Sequence, residues 1–329
     1  MTPRAPLGIA AVLLLAAACL SPAEADEAWP TRPARIIVTY TPGGAADTLG
    51  RYAAQALSEA TGQQFVVENR PGAGGLIGTE IFARAAPDGY TLGVTSLTSE
   101  VINPASLDHE HWPLDPFKDF THIALLGGPP NVIIADLQLP AQTLKDFVAL
   151  AKAKPGSFSY GTAGIGSGGQ MVAEMLQRLA GFRMTHVPYK GASQAVADVM
   201  GHHIQAGSVT LSTAAGQIKG GLVRALAVST KQRVTDFPDL PTLAELGYPD
   251  ATSMIWFALA GPAGLPPDIT AKINTIVVKS FQSPDMQQRF APEAIQTEPY
   301  TPAEFTAFVQ AETRRWAPIA REAGATKAN

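Results

Sequence analysis

The sequence predicts an α/β protein of two lobes with a mostly parallel sheet in each, and three observations support this. Residues 34–95 alternate between apolar β-branched runs and segments of helical periodicity, which predicts a β-α-β-α-β unit with right-handed crossovers. A second strand, glycine-rich turn and helix follow at 158–180. The chain has 329 residues, 46% of them hydrophobic, which is enough for two cores.

The first predicted strand, 34–39, leads into the stretch Tyr-Thr-Pro-Gly-Gly-Ala-Ala-Asp at 40–47 and then into a helix. The glycines allow a sharp turn and close approach of a ligand to the backbone. The first N–H groups of the helix have no intrahelical acceptor and lie at the positive end of its dipole. Such a turn suits a carboxylate or phosphate, although taken alone an ordinary connection is the better interpretation.

Two further loops follow strands of the same predicted sheet. A strand at 65–69 precedes the glycine-rich turn 70–75, and a strand at 90–95 ends in the polar residues 96–99. Ligand sites in open α/β sheets lie beyond the carboxyl ends of the strands, where these loops and residues 41–47 meet.

The remaining residues repeat this pattern. Residues 103–120 are expected to be irregular, and the chain crosses into a second lobe between strands at 123–126 and 131–135. Lobe 1 is therefore assigned to 26–127 and 249–329, and lobe 2 to 128–248. Further strands are predicted at 158–163, 186–189, 204–211, 224–229 and 255–260, and helices at 143–154, 170–180, 190–200, 242–246, 268–281 and 301–323, the last kinked or ended by Pro318.

The N-terminus has the pattern of an export signal. Arg4 precedes an apolar run at 7–19, and Ala23-Glu24-Ala25 is a small-x-small site, so cleavage is expected after Ala25 and the protein is expected in the periplasm. Lipid attachment at Cys19, the only cysteine, is the alternative, but Ala16 stands where that motif usually has leucine. Cleavage leaves no cysteine and so excludes disulfides and thiol catalysis.

Composition and motifs exclude several functions. A net charge of −4 and a pI near 5.9 without a basic run argue against nucleic-acid binding. The motif Gly164-x-Gly166-x-x-Gly169 matches a dinucleotide fingerprint, but residues 184–190 supply no acidic partner for a ribose, so no cofactor is predicted. The histidines at 109, 111, 202 and 203 lack metal-binding spacing, so no metal is predicted either.

No catalytic motif is found, which favours binding over catalysis. Ser167 lacks the G-x-S-x-G context because Ile165 precedes it by two positions. An exported hydrolase that uses Ser167 and a sensory receptor that presents its ligand to a signalling protein remain as alternatives. If the strand–turn–helix units of the two predicted lobes face each other, their backbone N–H groups converge on one cleft. That arrangement holds an anion without an arginine.

The chain resembles the periplasmic solute receptors of tripartite tricarboxylate transporters, which are also called Bug-type receptors. The resemblance spans nearly the whole mature chain. It rests on YTPGGAAD at 40–47, VENRPGAGG at 67–75, PDGYTL at 87–92, KDF at 118–120, YGTAGIGS at 160–167, HVPYKG at 186–191, RALAV at 224–228 and PDLPT at 238–242.

The resemblance implies a type II, Venus-flytrap fold that closes on a di- or tricarboxylate or an aromatic acid, with the cleft between the lobes. It implies no enzymatic activity, a monomer, and the membrane subunits of the transporter as partners. Loops 41–47 and 162–167 would pinch one carboxylate. The implied ligand-binding residues are Thr41, Gly43, Gly44, Ala45, Asp47, Ser99, Thr162, Gly164, Ser167, Gly191 and Thr210.

The sequence departs from the family pattern at four positions. Gln170 stands where many relatives have histidine, and Gln205 where many have aspartate. Thr39 and Thr41 replace prolines that often flank the aromatic residue of the first loop. Loss of the aspartate is expected to favour a plainer dicarboxylate or an aromatic acid over ligands with amino or hydroxyl groups.

Overall fold

A computed structural model describes residues 29–323. The predicted export signal, its cleavage site and Cys19 therefore lie outside the described residues, as does Gly324. Within residues 29–323, no helix combines the length and the apolar character needed to cross a membrane.

The first lobe is built on a five-stranded sheet in the order β2-β1-β3-β10-β4. The predicted β-α-β-α-β unit forms at its start, with the first helix ending at Gly62 in a left-handed cap, as a C-terminal glycine favours. The strands are β1 Ala34–Val38, β2 Phe65–Asn69, β3 Thr91–Ser96, β4 Phe120–Gly127 and β10 Phe257–Pro262, and the helices are α1 Ala45–Thr61, α2 Leu76–Ala83, α3 Asn103–Ser106, α8 Pro267–Phe281, α9 Pro284–Phe290 and α10 Pro302–Glu322.

The second lobe has a sheet of the same design, in the order β7-β6-β8-β5-β9. The predicted capping box at Thr143 and Asp146 forms at the start of its first helix. The strands are β5 Asn131–Ala135, β6 Ser159–Thr162, β7 Thr185–Pro188, β8 Ala206–Thr210 and β9 Arg224–Val228, and the helices are α4 Leu144–Ala153, α5 Gly168–Ala180, α6 Ala192–Met200 and α7 Leu211–Lys219.

Each sheet is mostly parallel, as predicted, with one strand reversed. In the first sheet β10 runs antiparallel to β3 and β4, and in the second β5 runs antiparallel to β8 and β9. Each reversed strand is the first strand after the chain crosses from one lobe to the other. It begins at the edge of the sheet where the connecting segments lie and where the other four strands end, so it runs in the opposite direction.

The segments that connect the lobes pack tightly on each other. Gly128 exchanges two backbone hydrogen bonds with Gln296, at 2.9 and 3.0 Å, and Pro130 forms a bridge with Met254. A Cβ atom at Gly128 would lie 1.7 Å from the Ile255 carbonyl oxygen, so only glycine fits there.

Two local predictions were wrong. Residues 103–106, the start of the stretch expected to be irregular, form α3, which continues the π-helical turn Thr98–Ile102, where Val101 and Ile102 are completely buried. The capping box of Thr242 and Glu245 forms, with both bonds at 3.1 Å, but residues 242–247 form a turn and not an α-helix. Helix α10 continues through Pro318 to Glu322, so Pro318 does not end the helix.

Candidate functional site

A cavity of about 470 Å³ lies between the two lobes, at the carboxyl ends of the parallel strands. We call it the interlobe cavity. It has walls from both lobes and from the segment that returns to the first sheet. Its lining residues are Thr39, Tyr40, Thr41, Pro71, Gly72, Gly74, Gly75, Ser96, Leu97, Thr98, Asn131, Ala163, Ile165, Gly166, Ser167, Gly168, Gly169, Lys190, Gly191, Ala192, Ser208, Val209, Thr210, Ile255, Trp256 and Phe257.

Helix N-termini from both lobes flank the interlobe cavity. In the second lobe, α5 begins at Gly168 and α6 follows Gly191, and both glycines line the cavity. In the first lobe, α2 begins directly after Gly75, which also lines it. The first N–H groups of a helix have no intrahelical acceptor, so the starts of α5 and α6 supply donors and positive dipole potential to an anion. At α2 the Leu76 N–H already donates to the Ala73 carbonyl, so this end contributes mainly its dipole.

The loop of the second lobe, 162–167, is held in place by its own hydrogen bonds. The Gly166 N–H donates to Oε1 of the buried Gln170 at 2.8 Å, and Ser167 Oγ accepts from the Gln170 N–H at 3.3 Å as the N-cap of α5. Thr162 Oγ1 accepts from the Gly164 N–H at 3.2 Å. Ser167 and Gly166 line the cavity, whereas Thr162 is buried beneath the loop. The loop therefore needs little ordering on binding.

The imidazole beneath this loop adds no charge at neutral pH. His186 Nε2 lies 2.7 Å from Thr162 Oγ1, and the ring stacks on Tyr160 at a centroid distance of 4.9 Å. Burial lowers the pKa of His186 to about 4, so the ring is neutral there. Attraction for an anion on this side of the cavity therefore depends on the helix N-termini.

The start of α5 is packed closely on β8. The Ser208 hydroxyl donates to the Gly169 carbonyl at 2.7 Å and accepts from Asn131 Nδ2 at 2.7 Å.

Two buried polar atoms of the cavity lining have no hydrogen-bond partner among residues 29–323. They are Asn131 Oδ1 and Thr39 Oγ1. Asn131, Ser208 and Thr39 could not be predicted as site residues, because each lies within a predicted strand without a motif.

The loop of the first lobe reaches the interlobe cavity at one of its predicted residues. Thr41 lines the interlobe cavity, but Gly43, Gly44, Ala45 and Asp47 are not among its lining residues. The turn 71–75, which the sequence placed at the same sheet edge, provides most of the glycines on this side. A Cβ atom at Gly44 would meet nothing closer than 3.9 Å, so this glycine is not required for close packing.

Asp47 organises the first loop from within. Its carboxylate accepts from the Gly43 N–H at 3.0 Å, from Arg51 Nε at 3.0 Å and from Asn69 Nδ2 at 2.8 Å. Burial acts to raise its pKa, but the hydrogen bonds from Arg51, Gly43 and Asn69 outweigh burial and hold the pKa of Asp47 below its usual range. These three hydrogen bonds join Asp47 to its own loop, to α1 and to the end of β2, so Asp47 positions the first loop.

Replacement of Asp47 by asparagine is expected to lower the free energy of unfolding at pH 7 by about 1–3 kcal/mol, the range for a charged hydrogen-bonding group. Because the folded-state pKa is lowered, the stabilisation is complete above the unfolded pKa and is lost as the pH falls through the folded pKa. Urea unfolding of wild type and variant from pH 7 downwards measures this. A gap that stays constant into strong acid would contradict the assigned role.

Of the remaining predicted site residues, two line the interlobe cavity and two do not. Gly191 and Thr210 line the interlobe cavity. Ser99 is buried and its Oγ accepts from the Ser96 N–H at 3.0 Å, and Gly164 belongs to the second loop but not to the cavity lining.

Gln205 lies at the end of β8 that is remote from the interlobe cavity. Its Oε1 accepts from the N–H and the hydroxyl of Ser159, at 2.9 and 3.1 Å. It precedes β8, whereas the cavity is lined by Ser208 to Thr210 at the other end of that strand. Gln205 therefore ties two strands together and is not placed to contact the far end of a ligand.

An apolar wall lies beside the polar loops. Leu97, Val209, Ile255, Phe257 and the half-exposed Ile165 all line the cavity. Within residues 29–323, the ionisable side chains of the lining are those of Tyr40 and Lys190. The Tyr40 hydroxyl is 2.7 Å from Ser96 Oγ, and burial raises its pKa, so it is neutral.

Comparison with known proteins gives a consistent result over nearly the whole chain. BugT of Bordetella pertussis is 34% identical over 322 residues, covering 97% of each chain. The structure of an R. palustris protein with adipate is 31% identical, with a TM-score of 0.78, and the match covers 90% of this chain and 98% of that one. MatC from Rhodopseudomonas palustris, with bound malate, is 28% identical with a TM-score of 0.75, over 89% of this chain and 100% of that one.

Residues 49–325 match the family described as "Tripartite tricarboxylate transporter family receptor". This match spans both lobes and every helix N-terminus that flanks the interlobe cavity. The chain therefore belongs to the receptor family of tripartite tricarboxylate transporters, a family of periplasmic solute-binding proteins.

Proposed function

We propose that this receptor captures a small carboxylate in the interlobe cavity and delivers it to the membrane subunits of a tripartite tricarboxylate transporter. The convergence of helix N-termini from both lobes on one cavity carries the proposal. An ionised carboxylate that accepts backbone N–H groups makes charge-assisted hydrogen bonds, which are stronger than neutral ones. The adipate and malate found with two relatives are ligands of this class.

The body of the ligand is proposed to be apolar. A hydrocarbon chain or an aromatic ring fits against the wall of Leu97, Ile165 and Ile255, and Lys190 lies at the same cavity for a second carboxylate. An ammonium group on the ligand would lose its hydration without gaining a carboxylate partner, since no aspartate or glutamate of residues 29–323 lines the interlobe cavity. We therefore assign dicarboxylates with an unsubstituted chain, or aromatic acids, as the preferred ligands.

Isothermal titration calorimetry with matched acids tests both parts of this proposal. We expect adipate to bind and 2-aminoadipate, which differs by one amino group, to bind about 5- to 150-fold more weakly, because desolvation of an unpaired polar group costs about 1–3 kcal/mol. Benzoate-type acids form a second series. Binding of neutral or cationic solutes, with no binding of any carboxylate, would contradict the proposal.

Delivery to a transporter is tested separately from binding. Uptake of the bound acid into vesicles that contain the large and small membrane subunits should require this receptor. Uptake that is independent of the receptor, together with a ligand-dependent association with a signalling protein, would favour the sensory alternative. We also propose that the receptor is monomeric, which light scattering on the purified protein measures directly.

A further inference from the structure

The two lobes contact each other directly at the edge of the interlobe cavity. Thr98, which follows β3 in the first lobe, donates through Oγ1 to the carbonyl oxygen of Gly166 in the second lobe, at 3.1 Å. Gly166 also packs on the first lobe, because a Cβ atom built on it would lie 3.6 Å from Ile102 Cγ2 and 3.9 Å from Asn103 Oδ1. This contact consists of protein atoms alone and needs no ligand to bridge it.

The Gly166 side of the contact is fixed by the second lobe. Its N–H donates to Gln170 Oε1 at 2.8 Å, and Gln170 is almost fully buried. Its φ of +72° lies in the left-handed region that glycine adopts without strain. The carbonyl that Thr98 reaches is therefore presented by a rigid loop.

The Thr98 side is fixed by the π-helical turn Thr98–Ile102. The Ser96 N–H donates to Ser99 Oγ at 3.0 Å, and Asn103 Nδ2 donates to the Gly74 carbonyl at 3.2 Å. Below the turn, the completely buried Glu100 places Oε2 2.8 Å from Nε2 of the buried His122 on β4. A π-helical turn is a costly distortion of a helix and is frequent at functional positions.

We infer that Thr98 and Gly166 form a closure latch, and that Thr98 is a positioning residue that sets ligand affinity by stabilising the closed arrangement of the lobes. The inference rests on the proposed function, since it assumes capture by lobe closure. A contact made only when the lobes are closed shifts the equilibrium towards the closed state before any ligand binds. The apparent affinity rises with the fraction of molecules that are closed.

The test compares Thr98→Val, which has nearly the same shape but no hydroxyl, with Thr98→Ser, which keeps the hydroxyl. In small-angle X-ray scattering of ligand-free protein, the valine variant should be more open than wild type, and the serine variant should match wild type. With adipate as the probe, loss of one hydrogen bond should raise the apparent Kd about two- to tenfold in the valine variant.

Three results would overturn the latch. One is the same ligand-free scattering for the valine variant and wild type, even with weaker binding, since that would assign Thr98 to direct ligand contact. Another is an equal effect of serine and valine, which would assign the effect to packing of the methyl group. A third is an unchanged apparent Kd for adipate in the valine variant. If wild type binds no carboxylate, the proposed function fails, while the scattering comparison still decides the latch.

Discussion

Replacement of Gly169 by alanine is expected to weaken carboxylate binding by about 10- to 100-fold and to destabilise the second lobe. A Cβ atom there would lie 2.2 Å from the Ser208 carbonyl oxygen, which belongs to the backbone of β8 and has no side-chain freedom to move away. Overpacking of this kind typically costs about 1–3 kcal/mol. The strain acts on the first turn of α5, so the N–H groups of Gly168 and Gly169 move away from the cavity.

Loss of a hydrogen bond to a charged group costs about 1.5–3 kcal/mol, which sets the expected loss of affinity. Calorimetry measures the binding and thermal unfolding measures the stability. Gly216→Ala is the matched control, because Gly216 lies within α7 and a Cβ atom there meets nothing within 4 Å. That variant should gain about 0.5–1 kcal/mol of stability from helix propensity. Wild-type affinity in the Gly169 variant would show that the start of α5 does not hold the ligand.

The strand–turn–helix units could be predicted because their signals are local. The β-branched runs of β1 and β2, Gly62 at the end of α1 and the capping box of Thr143 each fix their own segment. The two-lobed fold followed from their order. The sequence also identified the loops that supply Thr41, Ser167, Gly191 and Thr210 to the cavity.

Other parts of the site depend on contacts between distant segments. Asn131 reads as the polar start of an apolar strand, and only the pairing of β5 with β8 places it beside Ser208. The π-helical turn at Thr98 carries the buried Glu100, whose Oε2 lies 2.8 Å from Nε2 of His122 on β4, a contact between segments that are separate in sequence. The capping box at Thr242 shows that a complete local signal is not sufficient for a helix. Both of its hydrogen bonds form, but the chain turns at Gly247 and no α-helix forms there.

The second large effect is expected at Glu312, a buried carboxylate on α10 that supports the cavity wall from behind. It accepts from the indole N–H of Trp256 at 3.2 Å and of Trp316 at 3.0 Å, and it pairs with Arg315 at 3.4 Å. Trp256 lines the interlobe cavity, and Arg315 also donates to the backbone carbonyls of Asp250 and Thr252 in the connecting segment. Glu312 thus joins the last helix to both the cavity and the connection between the lobes.

Replacement of Glu312 by alanine should lower the free energy of unfolding by about 3–5 kcal/mol, because it leaves two buried indole N–H groups without an acceptor and a partly buried guanidinium without its counter-charge. Denaturant unfolding measures this loss. We also expect weaker carboxylate binding, since Trp256 is no longer held against the cavity.

Replacement by glutamine separates the hydrogen-bond acceptor from the charge. The amide oxygen still accepts from the indoles but leaves Arg315 without its counter-charge, so we expect a loss of about 1–3 kcal/mol at pH 7, smaller than for alanine. Burial raises the pKa of Glu312, although Arg315 and both indoles act to lower it. The folded protein therefore binds more protons than the unfolded chain between the two pKa values, so wild-type stability should fall as the pH rises through that interval. The glutamine variant should lack this dependence of stability on pH.

If glutamine destabilises the protein as much as alanine does at pH 7, the charge pair with Arg315 is the main contribution of Glu312, and the acceptor role assigned to it is wrong.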